Sequence, residues 1–454
     1  VNNKAAQETM TPSLSRAQRF WILTAVFLGW MFAGMEMSLM IPATRPAIQA
    51  FAYSQGGSEP EIATNFVRME VMADQWLSRF IAAFLLGAAA GGALFGWLAD
   101  RAGRVKAMAT SILCYSAITG LGYFARTPEQ LLLLRFLACL GIGGMWPTGV
   151  ALVAEALPSV SRPLAAGLIG TSANVGFLIL GLIMLYHPIK PESWRWVLLL
   201  GATPVVLGWA VWAWLPESPQ WMAQKRVVAP PHTVTPLVEV FRPPLLRLTT
   251  LGILLGTIPL LGGWASGQRL VPWAGQVAEQ AGVHDLKAVT QTVWACGAVL
   301  GSLLGGWVAG SIGRRLSYFL MSLGSLGLSA YIFLGLNPSI PEFRWAAFAL
   351  GFTGTMFFGW LPYFLPGLFP TRVRATGIGV SYNFGRILSA VAVLSSTALS
   401  AWFHGDIARM GAATSLIYAA GLVLAWFIPS DGEGAKQEGA SPRPASEDSE
   451  DRKG

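Results

Sequence analysis

Three ionisable residues stand inside long apolar runs: Glu36, Arg135 and Arg386. A charge at the centre of a spanning helix costs on the order of 3 kcal/mol, so each needs a partner or wet surroundings and is a candidate for function. With a rise of about 1.5 Å per residue, Glu36 lies about sixteen residues from the inner end of its run, and Arg135 about five from the outer end of its own. Both then fall in the outer third, where they can meet. A carboxylate facing a guanidinium there is held as an ion pair, and protonating the acid releases the arginine. A static structural pair is the other reading. Arg386 lies about eleven residues into its run, near mid-depth, and no acid in the apolar runs of the second half of the chain offers a partner. Such an arginine is expected to face a wet cavity, where its planar fork suits bidentate recognition of a carboxylate. Hydrogen bonding to helix carbonyls is its alternative role.

The elements that must hold these groups are spanning helices. The chain has 454 residues, of which 54% are hydrophobic and only 12% charged, with a mean hydropathy of +0.52, which excludes a soluble globular protein. Windows of about 20 apolar residues fall near 20–42, 78–98, 107–125, 130–154, 163–186, 195–215, 247–265, 288–309, 317–336, 343–366, 375–400 and 411–428. The expected fold is therefore an all-α membrane protein of twelve transmembrane helices in two six-helix halves. A cytoplasmic segment 1–19 precedes the first half, 20–215, and a linker, 216–246, separates it from the second, 247–429. The segment 430–454, rich in Gly, Ser, Pro and acids, reads as a disordered cytoplasmic tail. The first apolar stretch is too long for a signal peptide and reads as the first span.

The formal charge of +8 does not point to nucleic acid, because Lys and Arg fall in short loops. Arg16, Arg19, Arg101, Arg104, Lys106, Arg162, Arg314, Arg315, Arg372 and Arg374 concentrate on one side, which places both termini in the cytoplasm. The outer loop 43–77 is the longest and carries Glu59, Glu61, Glu70 and Asp74, so a small cap is expected there. Cys114, Cys139 and Cys296 show no metal or disulfide spacing and read as buried small hydrophobes. No cofactor or metal is expected.

The halves repeat at an offset near 210 residues. Gly96-Trp-Leu-Ala-Asp-Arg-Ala-Gly-Arg104 matches Gly306-Trp-Val-Ala-Gly-Ser-Ile-Gly-Arg314, and Gly170-Thr-Ser-Ala-Asn-Val-Gly176 matches Gly379-Val-Ser-Tyr-Asn-Phe-Gly385. Asn174 and Asn383, at equivalent places in the fifth helix of each half, are expected to face each other across the cavity. They would bind a polar substrate or serve as inter-helix glue. Tyr382, Trp146 and Trp360 are candidates for cavity walls, with packing roles favoured for the tryptophans. Parallel halves around a central site are the architecture of an alternating-access carrier.

Gly96-x-x-x-Asp100-Arg101-x-Gly103-Arg104 resembles the loop signature of the major facilitator superfamily, with a resemblance covering 18–429. The run Arg135-x-x-x-x-x-Gly141-x-Gly143, the segment Pro216-Glu-Ser-Pro-Gln-Trp221 and the run Phe369-Pro-Thr-Arg-Val-Arg-Ala-Thr-Gly377 resemble the sugar-porter-like branch and its metabolite and aromatic-acid proton symporters. The resemblance implies two halves related by a pseudo-two-fold axis and a proton-coupling role for Glu36 with Arg135. It also implies an arginine in the setting of Arg386; Asn383, Asn174 and Tyr382 are the further substrate-binding candidates. Asp100, Arg101, Arg104, Glu155, Arg162, Glu217, Arg314 and Arg315 are the expected cytoplasmic gate. The second copy of the signature departs from the first, with Gly310 at the place of Asp100 and Gly367 where the family usually has Glu. A latch between Glu217 and Arg314 or Arg315 is one expectation for how the halves close.

The leading function is proton-driven symport of a small organic anion by a monomer in the plasma membrane, or the inner membrane if the source is Gram-negative. A neutral sugar or polyol carrier of the same fold is the alternative, and a transport-incompetent sensor is one from another class. No metalloprotease motif, nucleophile elbow or P-loop is present, so neither an enzyme nor an ATP-driven pump is expected.

Overall fold

The computed structural model describes residues 14–54, 66–157, 161–227, 235–263, 267–282 and 286–429. Among them, eleven helices are long and apolar enough to cross a membrane, and a shorter apolar helix, Leu245–Leu261, stands in the seventh place. The spans are α1 (Arg16–Ser54), α2 (Phe66–Ala102), α3 (Arg104–Leu121), α4 (Pro128–Ala156), α5 (Arg162–Tyr186) and α6 (Trp196–Trp214) in the first half. The second half has α7 (Leu245–Leu261), α8 (Leu286–Ile312), α9 (Arg314–Ala330), α10 (Pro341–Phe364), α11 (Arg374–Leu394) and α12 (Ile407–Phe427). Both expected terminal segments lie largely outside the described residues.

Local chemistry sets the helix ends. Ahead of α1, Ser15 and Gln18 exchange side-chain and backbone bonds of 2.9 and 3.2 Å, a capping box. Thr127 accepts from the Gln130 N–H ahead of α4, and Pro128 occupies the first turn, where a missing N–H does no harm. Gly103 and Gly313 start α3 and α9 with φ of 113° and 91°, a region open to glycine alone at little cost.

The expected long outer loop is not a loop. Helix α1 runs on through Pro42 and Pro46 to Ser54, and α2 begins at Phe66, so of 43–77 only 55–65, with Glu59 and Glu61, lies outside the described residues. Prolines normally break helices, yet here Ala43, Ala47, Ile48 and Phe51 are buried in a cluster with Trp76, Phe80 and Trp194. That burial outweighs the lost backbone bonds. Arg45 and Glu70 form an ion pair between the two extensions. On the second half, an amphipathic helix, Leu270–Ala281, precedes α8 and sets Trp273 against Phe333 and Phe343.

The halves meet along two equivalent seams, α2 on α11 and α8 on α5. Close approach depends on absent side chains. A Cβ on Gly96 would stand 2.7 Å from the Ala375 carbonyl, and one on its repeat partner Gly306 would strike the Pro163 carbonyl. Both contacts lie toward the end of the molecule that carries the repeated Gly-Arg loops, so that end is shut. Of the linker, Pro219–Val227 and Pro236–Glu239 are helical, and 228–234 fall outside the described residues.

Candidate functional site

Glu36 on α1 and Arg135 on α4 are both buried and form an ion pair, with Nη1 2.5 Å from Oε1. The same oxygen accepts from Thr119 Oγ1 on α3 at 2.7 Å. Arg135 Nη2 donates to the Glu36 and Met37 carbonyls at 3.0 and 3.3 Å. Its two terminal nitrogens are thus spent on α1, gripping backbone as well as carboxylate, while its Nε has no hydrogen-bond partner. Glu36 Oε2 is likewise buried with no hydrogen-bond partner.

Arg386 on α11 has the opposite balance. Its guanidinium lies 5.0 Å from the centre of the Phe84 ring and 5.4 Å from that of Tyr382, and its Nε and Nη1 have no hydrogen-bond partner. No acid pairs with it among the described residues. The expected exposure to a wet cavity is not found: the residue is only 3% exposed. The reason is the tight α2–α11 seam, where Gly92 and Gly379 let the two backbones touch and bring Phe84 over the arginine. Phe84 also lies 5.9 Å from the Arg135 guanidinium, so one phenyl ring adjoins both charged groups. Tyr382 stacks on Trp146 of the first half at 3.8 Å and 18°, an aromatic contact across the two halves beside Arg386. Trp360 is a packing residue, fully buried and donating to Ser317 Oγ at 2.9 Å.

Asn174 and Asn383 do not face each other as expected. Asn174 Nδ2 reaches Ser302 Oγ on α8 at 3.1 Å, while Asn383 Nδ2 bonds the Gly379 and Gly143 carbonyls at 3.0 and 3.4 Å. The pseudo-symmetry puts each in its own seam, against the other half's second helix. Asn383 Oδ1 is left buried and unbonded.

The gate is built around Arg104. Its guanidinium bonds Asp100 Oδ1 at 2.8 Å and both oxygens of Glu155 at 2.9 and 3.1 Å, and it crosses to the Thr371 carbonyl at 2.6 Å. Asp100 also crosses, accepting from Thr376 N at 2.8 Å, Thr376 Oγ1 at 2.6 Å and Ala375 N at 3.1 Å, at the start of α11. From the second half Arg374 reaches Glu155 at 3.1 Å and Gln220 of the linker helix at 3.0 Å. Ser218 donates to Glu155, and Trp221 Nε1 to the Asp100 carbonyl at 3.0 Å.

The expected latch from Glu217 to Arg314 or Arg315 is absent. Glu217 instead caps α3 within its own half, accepting from the N–H groups of Arg104 at 2.9 Å and Val105 at 3.2 Å. A carboxylate at a helix start satisfies orphan donors and meets the positive end of the dipole, which a distant arginine cannot match. Burial pushes its carboxyl above the usual range, against the pull of those donors. Arg315 bonds the Ile428 carbonyl at 2.8 Å, and Arg314 lies 5.4 Å from the Tyr363 ring, both within the second half. Arg101 is exposed beside the Trp97 ring, and Arg162 opens α5.

Sequence reasoning passed over Thr119, Phe84, Thr376, Arg374 and Gln220 as site residues. Arg374, Thr376 and Gln220 sit inside motifs already quoted and could have been found there. Phe84, one of 24 phenylalanines, carries no such signal. Cys114 is partly and Cys139 fully buried, but Cys296 on α8 is exposed, contrary to expectation.

A family model described as Major Facilitator Superfamily matches residues 26–393. The chain belongs to the major facilitator superfamily. It is 29% identical over 351 residues to a putative metabolite transport protein of Haemophilus influenzae, covering 76% of this chain and 84% of that one. It is 28% identical over 315 residues to the cis,cis-muconate transport protein of Acinetobacter baylyi, covering 68% and 74%. Among solved structures it resembles the proton:xylose symporter XylE with a TM-score of 0.69 at 15% identity, covering 92% of this chain and 97% of that one. This major facilitator is therefore a multi-pass integral membrane protein and a secondary transporter, not an enzyme.

Proposed function

We propose that this major facilitator carries a small organic anion by alternating access and couples the movement to protons through Glu36 and Arg135. The observation that carries the reading is Arg386: a guanidinium enclosed between the halves, with two unbonded nitrogens and, among the described residues, no acid to balance it. A carboxylate from outside the protein supplies the missing charge and acceptors, and its planar geometry matches the fork. The muconate carrier among the relatives transports a substrate of that class. A neutral sugar gives Arg386 no counter-charge, which sets the sugar reading second. Glu36 is the proton site because it is the acid already paired to an arginine within the bundle, with one oxygen unbonded. With both termini cytoplasmic, the shut end is the cytoplasmic one, and opening it requires Asp100 and Glu155 to let go of α11.

The test is uptake into proteoliposomes of labelled cis,cis-muconate, gallate and xylose, with and without an imposed inward proton gradient. Accumulation of a carboxylate only under the gradient is the expected result. Xylose uptake with no carboxylate uptake would sink the anion reading, and gradient-independent carboxylate uptake would sink the coupling.

A further inference from the structure

The repeat makes one half a control for the other. Glycines 103 and 313 start α3 and α9 with nearly the same backbone, ψ being 153° and 154°. In the first half, the chain leaving α6 through Pro216 lays the Glu217 carboxylate on the first N–H groups of α3. In the second half the chain leaves α12 through Pro429, and the corresponding place opens as a cavity of about 410 Å³. Gly313, Arg314, Arg315, Leu316, Phe319 and Trp426 are among the residues that line it. The halves also differ in charge, because Arg315 stands where the first half has the buried Val105. The Ile428 carbonyl holds Arg315 through Nε and Nη2, which leaves Nη1 for another acceptor.

Two guanidiniums at a helix start exceed what one carboxylate needs and suit a phosphate, whose oxygens take several donors at once. The remaining walls are apolar and turned outward: Ile312, Leu316 and Trp426 are 44%, 50% and 68% exposed. Leu320, Leu323 and Val423 continue an exposed apolar strip along α9 and α12. In a spanning protein that strip meets acyl chains, and a tryptophan at its end marks the headgroup level. A soluble phosphate would leave those walls unused.

We propose that this cavity binds the phosphate of an anionic phospholipid, with Arg314 and Arg315 on the headgroup and the α9–α12 strip along the acyl chains. The probe is phosphatidylglycerol, added to the delipidated full chain and read as bound lipid by native mass spectrometry, with phosphatidylcholine in a parallel arm. Retention of phosphatidylglycerol over phosphatidylcholine is expected. Arg315→Gln should lower it about fivefold, the factor equal to about 1 kcal/mol per basic residue at an anionic lipid surface. Trp426→Ala, at an exposed position where folding is not at stake, should lower it too, and Lys106→Gln on the first half should not. Equal retention by Arg315→Gln and the parent would overturn the proposal. So would displacement of the lipid by millimolar inorganic phosphate, which assigns the cavity to a free anion.

Discussion

At the scale of single residues, the contrast between Arg135 and Arg386 is the most informative feature. Both are buried guanidiniums, but Arg135 has a carboxylate and two carbonyls and only Nε unbonded, while Arg386 has two aromatic rings and both Nε and Nη1 unbonded. Cation–π contacts are worth about 0.5–2 kcal/mol, well short of the cost of burying an unpaired charge. Arg386 therefore works against the stability of the empty protein, as a residue kept for function does. Arg386→Gln should melt no lower than the parent by thermal shift in detergent, yet lose carboxylate binding by more than tenfold, because an ion-assisted bidentate contact is gone. Arg386→Lys should restore the charge but not the affinity, since an ammonium lacks the planar fork. Unchanged affinity in either purified variant would remove Arg386 from the substrate site.

At the scale of elements, the two seams are built alike in backbone and unlike in chemistry. The α2–α11 seam is polar, with Asp100 on the first N–H groups of α11, whereas Gly310 at the equivalent place on α8 has no side chain, and a Cβ there would stand 3.1 Å from the Pro163 ring. Asp100 and Glu155 make their charged contacts to the second half at the start of α11. Asp100→Asn weakens bonds that charge makes worth about 1.5–3 kcal/mol each, so cysteines placed on the inner turn of α11 should label faster in that variant. Labelling at the parental rate would show that Asp100 does not hold the gate. Glu217 acts within its own half, so Glu217→Gln should leave the labelling rate alone. Glu217→Ala should cost about 1–2 kcal/mol of stability as a lost cap. The folded state holds the Glu217 proton more tightly than the unfolded state does. Its contribution is therefore full below the ordinary carboxylate pKa and is lost as pH rises through the raised value. Thermal melts of Glu217→Gln across that window should lack this part of the parental slope.

At the scale of the whole molecule, coupling requires that the state of Glu36 be felt between the halves. Phe84 offers the physical connection, since its ring adjoins Arg135 of the first half and Arg386 of the second. Glu36→Gln mimics a permanently protonated acid. That variant should bind carboxylate and exchange labelled for unlabelled substrate at near parental rate, because exchange moves no net proton. It should not concentrate substrate under an imposed proton gradient. Counterflow and gradient-driven uptake measured side by side decide the matter: accumulation by Glu36→Gln would exclude this acid as the coupling site.

The sequence by itself determined the twelve apolar helices, the two-fold repeat, the superfamily and the three intramembrane charges. Each of these rests on composition or on spacing along one chain, where helix geometry is regular and the bilayer allows few alternatives. What it misjudged depended on contacts between distant segments. The first span read as ending near 42, and 43–77 as a loop, because the burial of Ala47, Ile48 and Phe51 against Trp194 cannot be seen locally. Glu217 read as a latch because the second half keeps arginines but not the acids of the signature, while the groups it satisfies are backbone N–H donors that nearly every residue carries. Asn174 and Asn383 read as a facing pair because a repeat reports equivalence and not direction; the pseudo-two-fold axis sends them into opposite seams. Depth along regular helices was enough to bring Glu36 to Arg135, but only the tertiary structure decided the partners of Glu217, Glu155 and Arg374, which depend on a few ångströms between segments far apart in the chain.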